Sequence, residues 1–119
     1  MTDLADLVVE MRRLSRLIDG GIEMMRDQAQ QAAQAERDYR KAVAVGWLEA
    51  PEGTVGAREA WVRGETADLR YARDLAEGMK RAADVAVRAR TTQVSAWQTA
   101  VNAERTTMNF AQFGPEDTP

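Results

Sequence analysis

Residues 69–101 read LRYARDLAEGMKRAADVAVRARTTQVSAWQTAV. Apolar side chains recur in them at steps of three and four: Leu69, Ala72, Leu75, Ala76, Met79, Ala82, Ala83, Ala86, Ala89, Val94, Trp97, Ala100 and Val101. Such steps place residues on one face of an α-helix, and no proline interrupts the run. A stripe this long and narrow cannot cover itself. It needs a second helix of similar length alongside.

The N-terminal part of the chain supplies one. Thr2 or Asp3 can cap it, and Asp3 and Asp6 sit at its positive end. Leu4, Met11, Ile18, Met25, Ala32 and Tyr39 then occupy one heptad position without a gap, with Leu7, Leu14, Ile22, Ala29, Ala35, Ala42 and Val43 filling the stripe. That repeat predicts coiled-coil-like packing. Gly20-Gly21 weakens the run by roughly 2 kcal/mol relative to two alanines. The heptad phase continues across the pair, so a single helix over residues 3–49 is expected.

Gly46, Pro51, Gly53 and Gly56 mark the connection, and Ala50, standing before a proline, is biased out of helix. The turn is therefore placed at about 50–56 and the second helix at about 57–110. Gly114-Pro115 is its stop and 114–119 a flexible tail. So short a connection makes the helices antiparallel neighbours. The predicted fold is all-α: one helical-hairpin domain over 1–119, coiled-coil-like, associating into a dimeric bundle. Folding about residues 52–53 would set Ala29, Ala32 and Ala35 against Ala76, Arg73 or Ala72, and Leu69. Residues beyond about 103 would overhang.

Composition narrows the function classes. The 119 residues hold 16 basic and 19 acidic side chains, net −3, with no cysteine and no histidine. Disulfide and thiolate chemistry are excluded, and the commonest general base and metal ligand is absent. Glu36, Asp38, Glu59 and Glu65 lack the Glu-x-x-His partner of a di-metal bundle site, and no phosphate-binding glycine loop is present. The expectation is a protein without catalytic residues, cofactor or metal, and not an enzyme. There is no apolar run long enough to span a membrane and no basic-then-apolar leader, so a cytoplasmic location is expected.

Candidate interaction residues lie at the two ends. Trp47 and Trp61 flank the turn, where they can either close the open end of the hairpin or serve as partner hot spots. Met108, Phe110 and Phe113 fall in the overhang, where exposure calls for self-association or a protein partner. Trp97 belongs to the seam by period. Arg70, Arg73, Lys80, Arg81, Arg88 and Arg90 form a locally basic stretch, but Asp68, Asp74, Glu77 and Asp84 thread through it. That mixture reads as a solvated face rather than a phosphate track.

Two likenesses bear on the setting. A two-helix chain of this size with tryptophan near its turn invites comparison with the WXG100 proteins. Trp47-Leu48-Glu49 and Trp61-Val62-Arg63 lack their Trp-x-Gly, and Tyr71 leads to Leu75 rather than an acid, which separates the chain from that family. The strings Tyr71-Ala-Arg-Asp-Leu-Ala-Glu-Gly, Arg90-Thr-Thr-Gln-Val-Ser-Ala-Trp-Gln-Thr and Asn102-Ala-Glu-Arg resemble small α-helical proteins of actinobacterial phages and prophages. The resemblance implies a phage product in a bacterial cytoplasm and transfers no site. The expected function is a protein–protein interaction module that recruits or inhibits another protein. The alternatives are an accessory factor of phage DNA replication or recombination, touching nucleic acid through the Arg70–Arg90 face, and a virion assembly component.

Overall fold

The computed structural model describes residues 3–113, with side chains through residue 111. It holds three helices and no strand among the described residues: α1 (Leu4–Glu49), α2 (Val55–Glu65) and α3 (Ala67–Phe113). The expected tail, 114–119, and Thr2 as a cap lie outside the described residues. Asp3 is the cap that is seen: its Oδ1 accepts from the Asp6 amide at 2.9 Å, relieving one of the four orphan donors of the first turn.

α1 runs unbroken through Gly20-Gly21. The two glycines differ in kind. A Cβ on Gly20 would meet nothing within 4 Å, whereas one on Gly21 would lie 3.0 Å from Val87 Cγ2. Gly21 is thus where the helix of its neighbour comes close, and only Gly20 is a free weak point.

The second expected helix, 57–110, begins earlier, ends later and is divided. It starts at Val55, because Thr54 takes extended backbone (φ −65, ψ 157) and its hydroxyl accepts from the Ala57 amide. It is interrupted at Thr66 (φ −105, ψ 7). The Thr66 amide and hydroxyl both donate to the Val62 carbonyl, at 3.0 and 2.8 Å. A hydroxyl drawn onto the i−4 carbonyl often bends a helix. The ladder resumes at once, with the Arg70 amide on the Thr66 carbonyl. Thr66 is 4% exposed, buried at the bend.

Contacts group the chain into two compact units, Met1–Ile22 with Val85–Pro119 and Glu23–Asp84. In the first, antiparallel segments of α1 and α3 enclose Leu7, Leu14 and Val101, with Val87, Val94 and Trp97 half-buried beside them. Arg90 reaches across to the Leu17 carbonyl at 3.3 Å. In the second, the end of α1, the turn, α2 and the start of α3 enclose Ala32 and Val62, and Gly46 lets the Val62 side chain approach to within 3.3 Å of where a Cβ would sit. Glu36 meets Arg73 here, where folding about 52–53 would have given Leu69. Gly21 meets Val87 rather than Asp84. The pairing is therefore displaced along α3 by up to a helical turn from the expected one.

Two stability predictions follow from this packing. Leu14, 2% exposed, should cost about 2–4 kcal/mol as Leu14→Ala, against under about 1 kcal/mol for the 39%-exposed Leu17→Ala. Urea unfolding followed by circular dichroism measures both. In the same assay Gly20→Ala should stabilise by about 0.5–1 kcal/mol. Gly21→Ala should fall short of that gain or reverse it, because its methyl must displace Val87.

Candidate protein-interaction site

The turn end is built from the top of α1 and α2. Trp47 and Trp61 are both half-buried, while Leu48 and Val55 beside them are 86% and 74% exposed. Trp47 is held by Arg58. Arg58 Nη2 donates to the Trp47 carbonyl at 2.8 Å and its guanidinium lies over the indole, 5.6 Å from the ring centroid. One interaction satisfies a C-terminal carbonyl of α1 and the other covers an aromatic face. The Nε of Arg58 is buried with no hydrogen-bond partner. Trp47 also lines a recess of ≈ 170 Å³ with Tyr39, Val43, Glu59, Val62, Arg63 and Thr66. Trp47 is therefore engaged in closing the hairpin, Trp61 is half-buried on α2, and Leu48 and Val55 are what this end offers to solvent.

A second recess of ≈ 330 Å³ lies lower in the same unit, floored by Ala29, Ala32 and Ala33 and rimmed by charges that include Glu77, Arg81 and Asp84. Small side chains leave this space open, and the mixed signs give it no net preference for an anion or cation.

At the C-terminal end, Met108 and Phe110 are 51% and 65% exposed. Phe113 is in α3, but its side chain lies outside the description. The structure separates the two that it describes. Met108 continues the steps Val94, Trp97, Val101, Glu104, which are buried or half-buried against α1. Phe110 continues Ala96, Thr99, Ala103, Thr106, all exposed. Two residues apart on a helix is about 200°. They do not form one patch.

The basic stretch of α3 is likewise divided. Arg73 turns inward over Tyr39, 4.4 Å from its centroid, with Glu36 at 3.6 Å and Asp74 at 3.0 Å. The Asp74 carboxylate accepting from it raises the Arg73 guanidinium above its ordinary range. Arg90 is spent on Leu17. This leaves Arg70, Lys80, Arg81 and Arg88 exposed. On α1 the Arg13 side chain donates to Glu10, holding that carboxyl below its usual value. Glu36–Arg40 and Glu59–Arg63 are further one-turn pairs of the solvated surface. Among the described residues no three acidic side chains converge on a possible metal position, and no helix is long and apolar enough to cross a membrane.

Sequence reasoning singled out the tryptophans but not Arg58, whose role depends on the turn bringing α2 back over α1. Its signal was a lone basic residue one turn into a helix that faces an exposed C-terminus. The chain matches no protein-family model, no curated protein and no solved structure.

Replacing Arg58 tests the closure. Arg58→Ala should destabilise by about 1–2 kcal/mol and change tryptophan emission, since it removes a carbonyl's donor and a stacked cation together. Arg58→Lys should recover less than half, because a lysine cannot both stack flat and donate sideways.

Proposed function

We propose that the chain is a non-enzymatic helical interaction module that works as a homodimer and recruits or inhibits a second protein. A phage or prophage setting in a bacterial cytoplasm is part of the same reading. One observation carries it. Among the described residues six apolar side chains are buried, while thirteen large ones are at least 38% exposed. Single exposed apolar residues are ordinary. An excess over the buried set, at Leu48 and Val55, along α3 and at Phe110, is what a chain does when other surfaces cover it.

The nucleic-acid reading draws less support, because Arg73 and Arg90 are committed to Tyr39, Asp74 and Leu17. Phosphate contacts would have to come from the four cations that remain.

The test is retention of a host protein on the immobilised full chain, compared with Leu48→Asp and Phe110→Asp. A protein held by the native chain and lost at least tenfold with one of the two supports the module and locates its docking end. Identical retention by all three overturns the reading. DNA binding that collapses as salt rises would replace it with the alternative.

A further inference from the structure

On the side of α3 away from α1, within the Glu23–Asp84 unit, Tyr71, Leu75, Gly78 and Ala82 follow at steps of four, three and four, and all four are exposed. Tyr71 is 70% and Leu75 52% exposed. Met79, 46% exposed, and Ala72 border this face on one side, and Asp74 and Arg81 border it on the other. Gly78 leaves a notch in this face. A Cβ there would meet nothing within 4 Å, as at Gly20, Gly56 and Gly64, so the space beside Leu75 is open to a side chain from outside. Glycine is the least helix-favouring residue after proline, so the notch has a cost in helix propensity.

We propose that this face docks on the same face of a second copy, antiparallel, about a two-fold axis level with Ala76 and Glu77. The proposal deepens the homodimer reading above and rests on it. In that register Leu75 of each copy seats in the notch of the other's Gly78, Tyr71 covers Ala82, and Met79 covers Ala72. Every layer sets a large side chain on a small one. A parallel pairing would put Gly78 on Gly78 and Ala82 on Ala82 beside the Leu75 layer and leave a void. The two-fold makes the interface self-complementary and closed.

Charge selects the same register. Asp74 of one copy faces Arg81 of the other, twice. Both bonds that Asp74 accepts from Arg73 use Oδ1, so Oδ2 is left for the mate. Arg81 stands at the rim of the alanine-floored recess and makes no ion pair within the chain among the described residues, so in the proposed dimer it turns from that rim to the mate. Sliding by one heptad in either direction sets Arg81 on Arg81 or Asp74 on Asp74, and like charges reject both. The face is short, a few turns of one helix, so the dimer is expected to be reversible and concentration-dependent.

The experiment is light scattering and equilibrium sedimentation of the full chain across a wide concentration range, with helicity checked by circular dichroism. The native chain should be a reversible dimer. Gly78→Leu improves helix propensity and fills the notch, so it should stay fully helical and become monomeric. Asp74→Arg and Arg81→Asp should each raise Kd at least tenfold, and the double exchange should return it to within about threefold of native. Seven residues apart on one helix, the two cannot pair within a copy, so rescue reports a contact between copies. A dimer unchanged by Gly78→Leu but dissolved by Phe110→Asp overturns this face while leaving the homodimer reading intact. A monomer at every concentration overturns both, and failure of the double exchange to rescue overturns the register.

Discussion

A helix with one neighbour can bury one face only, and every feature of this chain follows from that limit. Among the described residues no large side chain is wholly buried. The interior is a line of contacts: Leu7, Leu14 and Val101 in one unit, Ala32, Val62 and Ala83 in the other. Burying apolar area at about 25 cal/mol per Å² yields little per residue in such a line. Close approach has to make up the difference. Gly21 under Val87 and Gly46 under Val62 bring two backbones nearer than any side chain would allow, and Ala32 does the same in milder form. Long side chains then fold back over the edges of the line. Arg73 lies on Tyr39 and Arg90 on the Leu17 carbonyl, so their methylene stems cover apolar surface while their charges stay partnered.

The closed end solves a different problem. Reversing the chain leaves the last carbonyls of α1 and the first amides of α2 without helical partners. Thr54 supplies an acceptor for the amides and Arg58 a donor for the Trp47 carbonyl. At the bend between α2 and α3 the Val62 and Thr66 carbonyls both keep their i+4 amide donors. A proline would have cost a bond at that place. Thr66 keeps its own amide donating, and its hydroxyl is satisfied on the same carbonyl.

Much of this was legible in residue order. The unbroken heptad from Leu4 to Tyr39 fixes α1, because large apolar residues such as Met11, Ile18 and Met25 occur at those positions and the phase survives Gly20-Gly21. Residue order failed where the informative residue was small. Alanine is at home on either face of a helix, so on α3 the run from Leu69 to Ala89 merges two stripes. Ala76, Ala83 and Val87 face α1, while Leu75, Met79 and Ala82 are exposed. Thr66 gave no warning because threonine alone does not mark a bend: Thr91, Thr92, Thr99, Thr106 and Thr107 make the same hydroxyl bond to the i−4 carbonyl inside an unbroken α3. The register slipped because it was set from the middle of the turn, and the capping residue Thr54 lies beyond that middle. Met108 and Phe110 are both exposed, but nearness in sequence is not nearness on a helix, and these two point to opposite sides.

The same limit separates folding from recognition in this chain. Residues of the contact line cannot be altered without loosening the pairing of α1 with α3, since each has few neighbours to share the loss. Residues of the outward faces make no intramolecular contact worth keeping, so they are free to be shaped by whatever covers them. Tyr71, Leu75 and Phe110 cost the folded chain no packing and expose apolar area to water, a state that covering by a partner relieves. A chain held by one thin seam is stabilised in proportion to the ligand that binds its native form. Association and folding are then linked: covering an outward face raises the free energy needed to part the helices. In the interaction module proposed above, the exposed apolar residues, which look like a defect of so thin a core, are the means by which a partner completes it.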